Sequence, residues 1–179
     1  MRLSLEVRER AKGKGVKMIS ADPFPGSRGL GLHAATAFLL QGAKLVIVTA
    51  RKAGGEQGID QAVKRLNALS GIKGRAAGIA ADVGKREEVA KLVEAVKQYT
   101  DRVDILVANA GATWGGPFET TPDWSSAKIL DLNVRGIFNM VQLFQPMLEK
   151  GATHTDPSRI IIVSSTAART VPHVGENGS

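Results

Sequence analysis

The chain has 179 residues, 43% of them apolar, and 24 Lys+Arg against 17 Asp+Glu give a formal net charge of +7. That length suits one domain with a sizeable core. The absence of cysteine excludes disulfides and thiolate zinc sites, and three scattered His residues leave little to hold a metal.

The first stretch, residues 1–14, reads as a basic leader in which Arg2, Arg8, Arg10, Lys12 and Lys14 outnumber Glu6 and Glu9. A run of this kind is expected to be solvated. Nucleic acid is not an expected partner, because none of the two Trp, one Tyr and five Phe is interleaved with the charges. The N-terminus lacks the apolar core of a secretory signal. No apolar run reaches the ~18–20 residues of a membrane span. A soluble, cytoplasmic chain without a membrane partner is therefore the expectation.

From there short apolar runs alternate with amphipathic stretches. Val16–Ile19 predicts a strand, and 29–41 a helix through Leu30, Leu32, Ala35, Phe38 and Leu39. The β-branched run Lys44–Thr49 predicts a second strand, Ile59–Leu69 a helix, and Ala76–Ala80 a weaker third strand. Arg86–Tyr99 carries a helical stripe of Val89, Leu92, Val93 and Val96, and Asp104–Ala108 predicts a fourth strand. Asp123 is expected to cap a long helix reaching about Lys150, followed by a fifth strand at Arg159–Val163. Such alternation means βαβ units, a parallel sheet with helices on both faces. The helix over 123–150 is apolar nearly all round, so it is expected to be buried on more than one side, or to meet a further helix or another subunit.

The chemistry-bearing segment is Gly26-Ser27-Arg28-Gly29-Leu30-Gly31, between the first strand and the first helix. Glycines there let backbone approach a phosphate, and the helix N-terminus supplies amides and positive potential. Alone, the pattern also fits a plain tight turn. At the end of the second strand, where NAD enzymes usually carry an acid for the ribose hydroxyls, stand Arg51 and Lys52. Their cations suit a 2′-phosphate, which predicts NADP rather than NAD, with Arg28 adding to the pocket. The bland alternative is ordinary surface charge after a strand.

Five segments in order, Gly26–Gly31, Asp82-Val83, Ala108-Asn109-Ala110-Gly111, Asn133 in Leu-Asn-Val-Arg-Gly, and Ile160–Ala167, resemble the short-chain dehydrogenase/reductase family. The resemblance implies a Rossmann-like three-layer α/β fold over a partial dinucleotide-binding domain, residues 15–179. It implies cofactor contacts from Ser27, Arg28, Gly29, Leu30, Gly31, Arg51, Asp82, Val83 and Asn109. It further implies that Ser165 bonds a substrate carbonyl and that Asn133 holds a proton-relay water. The activity implied is NADP-dependent carbonyl reduction or alcohol oxidation of a small molecule. Ser165 is also a residue that commonly ends a strand, and Asp82 one that commonly caps a turn.

Two departures qualify that activity. The resemblance calls for Tyr-x-x-x-Lys after the serine, but the single tyrosine, Tyr99, precedes Ser165 and has Val103 four positions on. The expectation is a shortened, inactive chain, or a non-catalytic dinucleotide- or partner-binding remnant. In addition, the family's turn starts Thr-Gly directly after the first strand, whereas here Ile19-Ser20-Ala21 is followed by an insertion, Asp22-Pro23-Phe24-Pro25, before Gly26, and its two prolines remove amide donors from a phosphate turn.

Overall fold

β-Branched and leucine-rich runs pair here as one five-stranded parallel sheet in the order β3-β2-β1-β4-β5. The computed structural model describes residues 17–21, 29–55, 58–114, 116–150, 152–165 and 169. The elements are β1 (Lys17–Ala21), α1 (Leu30–Leu40), β2 (Leu45–Ala50), α2 (Ile59–Asn67), β3 (Arg75–Ala80), α3 (Arg86–Lys97) and β4 (Ile105–Ala108). They continue with α4 (Asp123–Leu130), a π-helical turn (Asp131–Gly136), α5 (Ile137–Glu149) and β5 (Arg159–Ile162). The expected α/β class and strand number hold. The strand order reverses direction between β1 and β4, the place where open α/β sheets bind ligands.

Strand parity sorts the core into two layers. In β2, Leu45 and Ile47 face α3 and α5, joining Val89, Leu92, Leu106, Met140 and Phe144. Val46, Val48 and Ala50 face the other way, onto Ala35, Leu39, Ile59 and Leu66 of α1 and α2. Every residue of β2 and β4 is buried, as expected of central parallel strands covered on both faces.

The predicted long helix is present, with two corrections. Pro122 occupies the cap position, so Asp123 sits inside the first turn, where its charge still favours the helix N-terminus. The helix is also not uniformly α: Asp131–Gly136 winds as a π turn. Its far end is tied down by Ser158 Oγ donating to Leu148 O at 2.6 Å and Val103 N donating to Met147 O at 2.9 Å, which satisfies terminal carbonyls. Burial on more than one side holds only in part. Met140, Phe144, Met147 and Leu148 are buried, whereas Leu130, Val134 and Phe138, at i, i+4 and i+8, are each about 60% exposed.

The fifth strand ends at Ile162, yet Val163 N still donates to Ala108 O, so the pairing carries one residue further. Tyr99 lies just past α3 and stacks under the Arg75 guanidinium, 5.6 Å from the ring centre. No helix among the described residues is long and apolar enough to cross a membrane.

Candidate functional site

At the carboxyl ends of β2 and β3 the sheet opens into a cleft of about 430 Å³. One wall is the turn Ala81–Lys85 between β3 and α3, and the other is the face of the long helix carrying Trp124, Lys128, Asp131 and Leu132. Thr49 and Arg51 of β2, with Gly111 and Ala112 after β4, complete the lining. Three of the residues picked out from sequence, Arg51, Asp82 and Val83, thus converge on one cavity.

The turn wall is rigid for local reasons. Asp82 Oδ1 accepts from Gly84 N at 3.1 Å, the self-capping arrangement Asp favours in turns, so Asp82 both caps the turn and lines the cleft. Lys85 N also donates to Asp82 O at 3.0 Å. The π turn approaches this wall closely. A Cβ on Gly136 would lie 2.7 Å from Val83 O, so only glycine allows the contact. Beside it, Arg86 Nη1 donates to Asn139 Oδ1 at 2.8 Å and to Gln142 Oε1 at 2.7 Å, fastening α3 to α5. Replacing Arg86 with Met strands the buried Asn139 amide oxygen. The expected loss is about 1–2 kcal/mol of stability in urea denaturation, because a buried acceptor left unmade carries most of its desolvation cost. A loss below a few tenths of a kcal/mol would show that the latch does not hold the walls.

Asn133 sits in the π turn and reaches the loop after β4. Its Nδ2 donates to Ala112 O at 2.8 Å, and its Oδ1 accepts from Ala112 N at 2.9 Å. This two-point grip on the backbone N–H and C=O of one residue accounts for a polar amide amid apolar neighbours. It also sets the position of Ala112 in the cleft lining.

The remaining sequence-based candidates are placed as follows. Gly29 caps α1 with φ +103°, a left-handed conformation that favours glycine, and Leu30 and Gly31 open the helix. Ser27 and Arg28 lie outside the described residues, as do Gly26 and the Asp22–Pro25 segment. Asn109 directly follows β4 and is half-buried, and Ser165 lies three residues beyond β5 and is exposed. Both stand at the carboxyl edge of the sheet, but neither lines the cleft.

Sequence reasoning missed Thr49, Lys85, Trp124 and Lys128. Helical spacing offered a signal for two of them: Trp124, Lys128 and Leu132 recur every four residues and share a face. Trp124 meets Trp114 edge to face, with ring centres 4.7 Å apart at 78°, which stiffens the cleft mouth. The charges around the cavity are Arg51, Lys85 and Lys128 against Asp82 and Asp131, and Asp131 is paired with Arg135 at 2.6 Å. That balance suits an anionic ligand. Away from the cleft, the hydrogen bond and charge of Lys91 hold the Glu88 carboxyl below its ordinary pKa, and Glu88 in turn raises Lys91. The pair lies at the surface and matters little for stability. Among the described residues no group of His, Asp or Glu is arranged to hold a metal.

A profile of the short chain dehydrogenase family matches residues 25–176. The chain belongs to the short chain dehydrogenase family. Among its relatives is the rhamnolipid-biosynthesis 3-oxoacyl-(acyl-carrier-protein) reductase of Pseudomonas aeruginosa, 35% identical over 142 residues, covering 79% of this chain and 52% of that protein. The peroxisomal 2,4-dienoyl-CoA reductase of Arabidopsis thaliana is 34% identical over 145 residues, covering 79% and 46%. Among solved structures, a Pseudomonas aeruginosa RhlG/NADP active-site complex superposes with TM-score 0.79 at 29% identity, over 94% of this chain and 60% of that one. An NADH-dependent reductase complexed with NAD gives TM-score 0.75 at 26% identity, over 94% and 65%. This short chain dehydrogenase therefore spans about half the length of the curated relatives it matches.

Proposed function

We propose that these residues form the dinucleotide-binding part of an NADP-dependent oxidoreductase, with the adenosine end of the cofactor in the cleft between β3 and the long helix. The observation that carries the reading is Arg51, set at the end of β2 in the same cavity as Asp82 and Val83. The cavity falls in the ~300–1,000 Å³ range of small-ligand sites. It lies beside the strand that leads into the glycine-rich turn. Its residues also fit the group chemically: a guanidinium and two ammonium groups for phosphate, and a carboxylate for an amine-bearing base. Both a cofactor-bearing neighbour with NADP and one with NAD share the fold. The choice of NADP rests on Arg51.

When bound, the dinucleotide supplies hydride-transfer chemistry. In this reading Arg51 holds the 2′-phosphate, Asp82 accepts from the base, and Ser27, Arg28, Gly29, Leu30 and Gly31 serve the pyrophosphate. Asn109, directly after β4, contacts the cofactor, Ser165 orients the carbonyl of a small-molecule substrate, and Asn133 holds a relay water. A Tyr-x-x-x-Lys pair is not among the 179 residues. The proposal accordingly gives them binding and positioning, and turnover by these residues alone is not expected. A second reading, assembly with a partner or another copy, is favoured by the exposed Leu130, Val134 and Phe138 on the long helix.

The test is a titration of the chain with NADPH and with NADH, followed by quenching of tryptophan fluorescence, since Trp124 lines the cleft. NADPH is expected to bind tighter by about tenfold or more, the worth of a charge-assisted hydrogen bond. Arg51→Ala is expected to erase that preference while leaving NADH binding unchanged. Equal binding of both by the unaltered chain removes the NADP assignment, and no binding of either removes the reading.

A further inference from the structure

The two edges of the sheet are finished differently. At the β3 edge the Asn67 side chain stands where a neighbouring strand would lie. Its Nδ2 donates to Ala76 O at 3.1 Å and its Oδ1 accepts from Ala76 N at 2.8 Å. The outward backbone groups of Ala76 are thus taken by the chain's own amide, and exposed Arg75 stands beside them. Covered groups and a charge are what keep a sheet edge from pairing. The β5 edge is left open. Arg159 N donates to Asp104 O and Val163 N to Ala108 O, so the odd-numbered residues of β5 turn their backbone groups toward β4. In a parallel ladder the residues between them turn N–H and C=O the other way. Ile160 and Ile162 therefore present donors and acceptors outward, and among the described residues nothing pairs with them there. Their side chains are 44% and 53% exposed, on the sheet face shared with Leu106 and Ala108.

We infer that β5 pairs antiparallel with β5 of a second copy, about a two-fold axis at Ile161, joining two five-stranded sheets into one continuous sheet. The edge is self-complementary in this register. The N–H and C=O of Ile160 meet the C=O and N–H of Ile162 in the second copy, and the symmetry repeats the exchange, so no outward group of either residue is left over. Ile161 faces its own counterpart as the non-hydrogen-bonded pair between them. Ile160 and Ile162 meet across the strands on one face and cover apolar surface that is otherwise in water. Arg159 falls opposite Val163 of the second copy, so like charges do not oppose each other, as they do in a register centred on Arg159. The closed β3 edge sets the size of the assembly: with one open edge per chain, pairing stops at two. A strand of this length covers an area at the low end of specific interfaces, which gives a weak dimer with Kd on the order of 10–100 µM. The inference is independent of the dinucleotide reading.

The chain contains no cysteine, so one introduced thiol reports on the axis. Ile161→Cys places it where the Cα atoms of a non-hydrogen-bonded pair lie about 4.5 Å apart, within disulfide reach. Under mild oxidation this variant is expected to run as a covalent dimer on a non-reducing gel. Adding Ile162→Pro is expected to abolish the cross-link, because proline there removes an outward N–H and leaves the bonds to β4 in place. In sedimentation velocity the unaltered chain is expected to pass from monomer to dimer between about 1 and 300 µM, and Ile162→Pro to weaken that dimer about tenfold or more. Ile160→Lys, which keeps the backbone and puts charge into the cross-strand pair, is expected to do the same and serves if the proline variant melts early. Phe138→Glu, on the exposed face of the long helix, is expected to leave the dimer unchanged. A chain still monomeric at the highest concentration overturns the inference. So does a dimer that survives Ile162→Pro and Ile160→Lys but is lost in Phe138→Glu, and so does an assembly larger than two.

Discussion

Truncating Phe144 to alanine is expected to lower folding stability by about 3–5 kcal/mol, the range for a large aromatic removed from a close-packed core. Phe144 is fully buried and lies where α5 crosses the sheet, in one cluster with Ile47 of β2, Leu106 of β4 and Leu92 of α3. The cavity left behind opens onto the middle strands, which are rigid, so little of it can collapse. Native domains have only about 5–15 kcal/mol of stability in total. The variant is therefore expected to shift the urea midpoint to a fraction of its original value, or to unfold at 37 °C. A loss under about 1.5 kcal/mol, as for volume-conserving swaps, would mean that α5 does not pack on the sheet as described.

Asn133→Ala is expected to have the second-largest effect, about 2–4 kcal/mol, because it removes two hydrogen bonds to the Ala112 peptide and leaves a part-buried N–H and C=O unpaired. The consequence extends to binding. Ala112 lines the cleft, and the loop after β4 loses its anchor to the long helix, so dinucleotide affinity is expected to fall with stability. Asn133→Asp separates the two bonds, since a carboxylate accepts from Ala112 N but cannot donate to Ala112 O. It is expected to fall between the unaltered chain and the alanine variant in thermal unfolding. Identical losses for Asp and Ala would show that the accepting bond contributes nothing. No loss in either would show that the π turn stands without this grip.

The strands were legible where composition and environment agree. Leu45–Ala50 and Ile105–Ala108 are β-branched or leucine-rich and buried throughout, so their runs are read directly. β3 was harder, since Arg-Ala-Ala-Gly-Ile-Ala has little intrinsic preference for a strand and takes that form through pairing with β2. Gly78 adds a packing reason: a Cβ there would meet Ile59 Cγ2 at 2.0 Å. Helix ends shifted by a residue or two, as at Asp123, because capping geometry depends on the preceding backbone.

The site divides in the same way. Arg51, Asp82 and Val83 are recognisable because they end strands or follow them directly, and the sheet order brings those ends together. Thr49 has no local mark. Only the alternation of β2, combined with the arrival of the long helix above it, turns an ordinary strand threonine into a cleft residue. Trp124 and Lys128 depend on that helix crossing the sheet edge, which no window of sequence contains. The π turn was also hidden, since Asp131–Gly136 keeps ordinary helical spacing of its apolar residues. What creates it is tertiary: the approach of Gly136 to Val83 and the hold of Asn133 on Ala112.

The π turn also works as a phase corrector for everything on either side. Gly136, Met140, Phe144 and Leu148 recur every four residues on the buried side, and Trp124, Lys128 and Leu132 continue that spacing along the cleft wall. In a regular α-helix a four-residue repeat drifts by about 40° per step, so this series would wind away from the sheet. One extra residue in the wide turn takes back about 100° of that drift. The cleft wall and the core face are thereby held in register by chain length between Asp131 and Gly136. Removing a single residue from that segment would turn Trp124 and Lys128 by about 100° relative to Met140, Phe144 and Leu148.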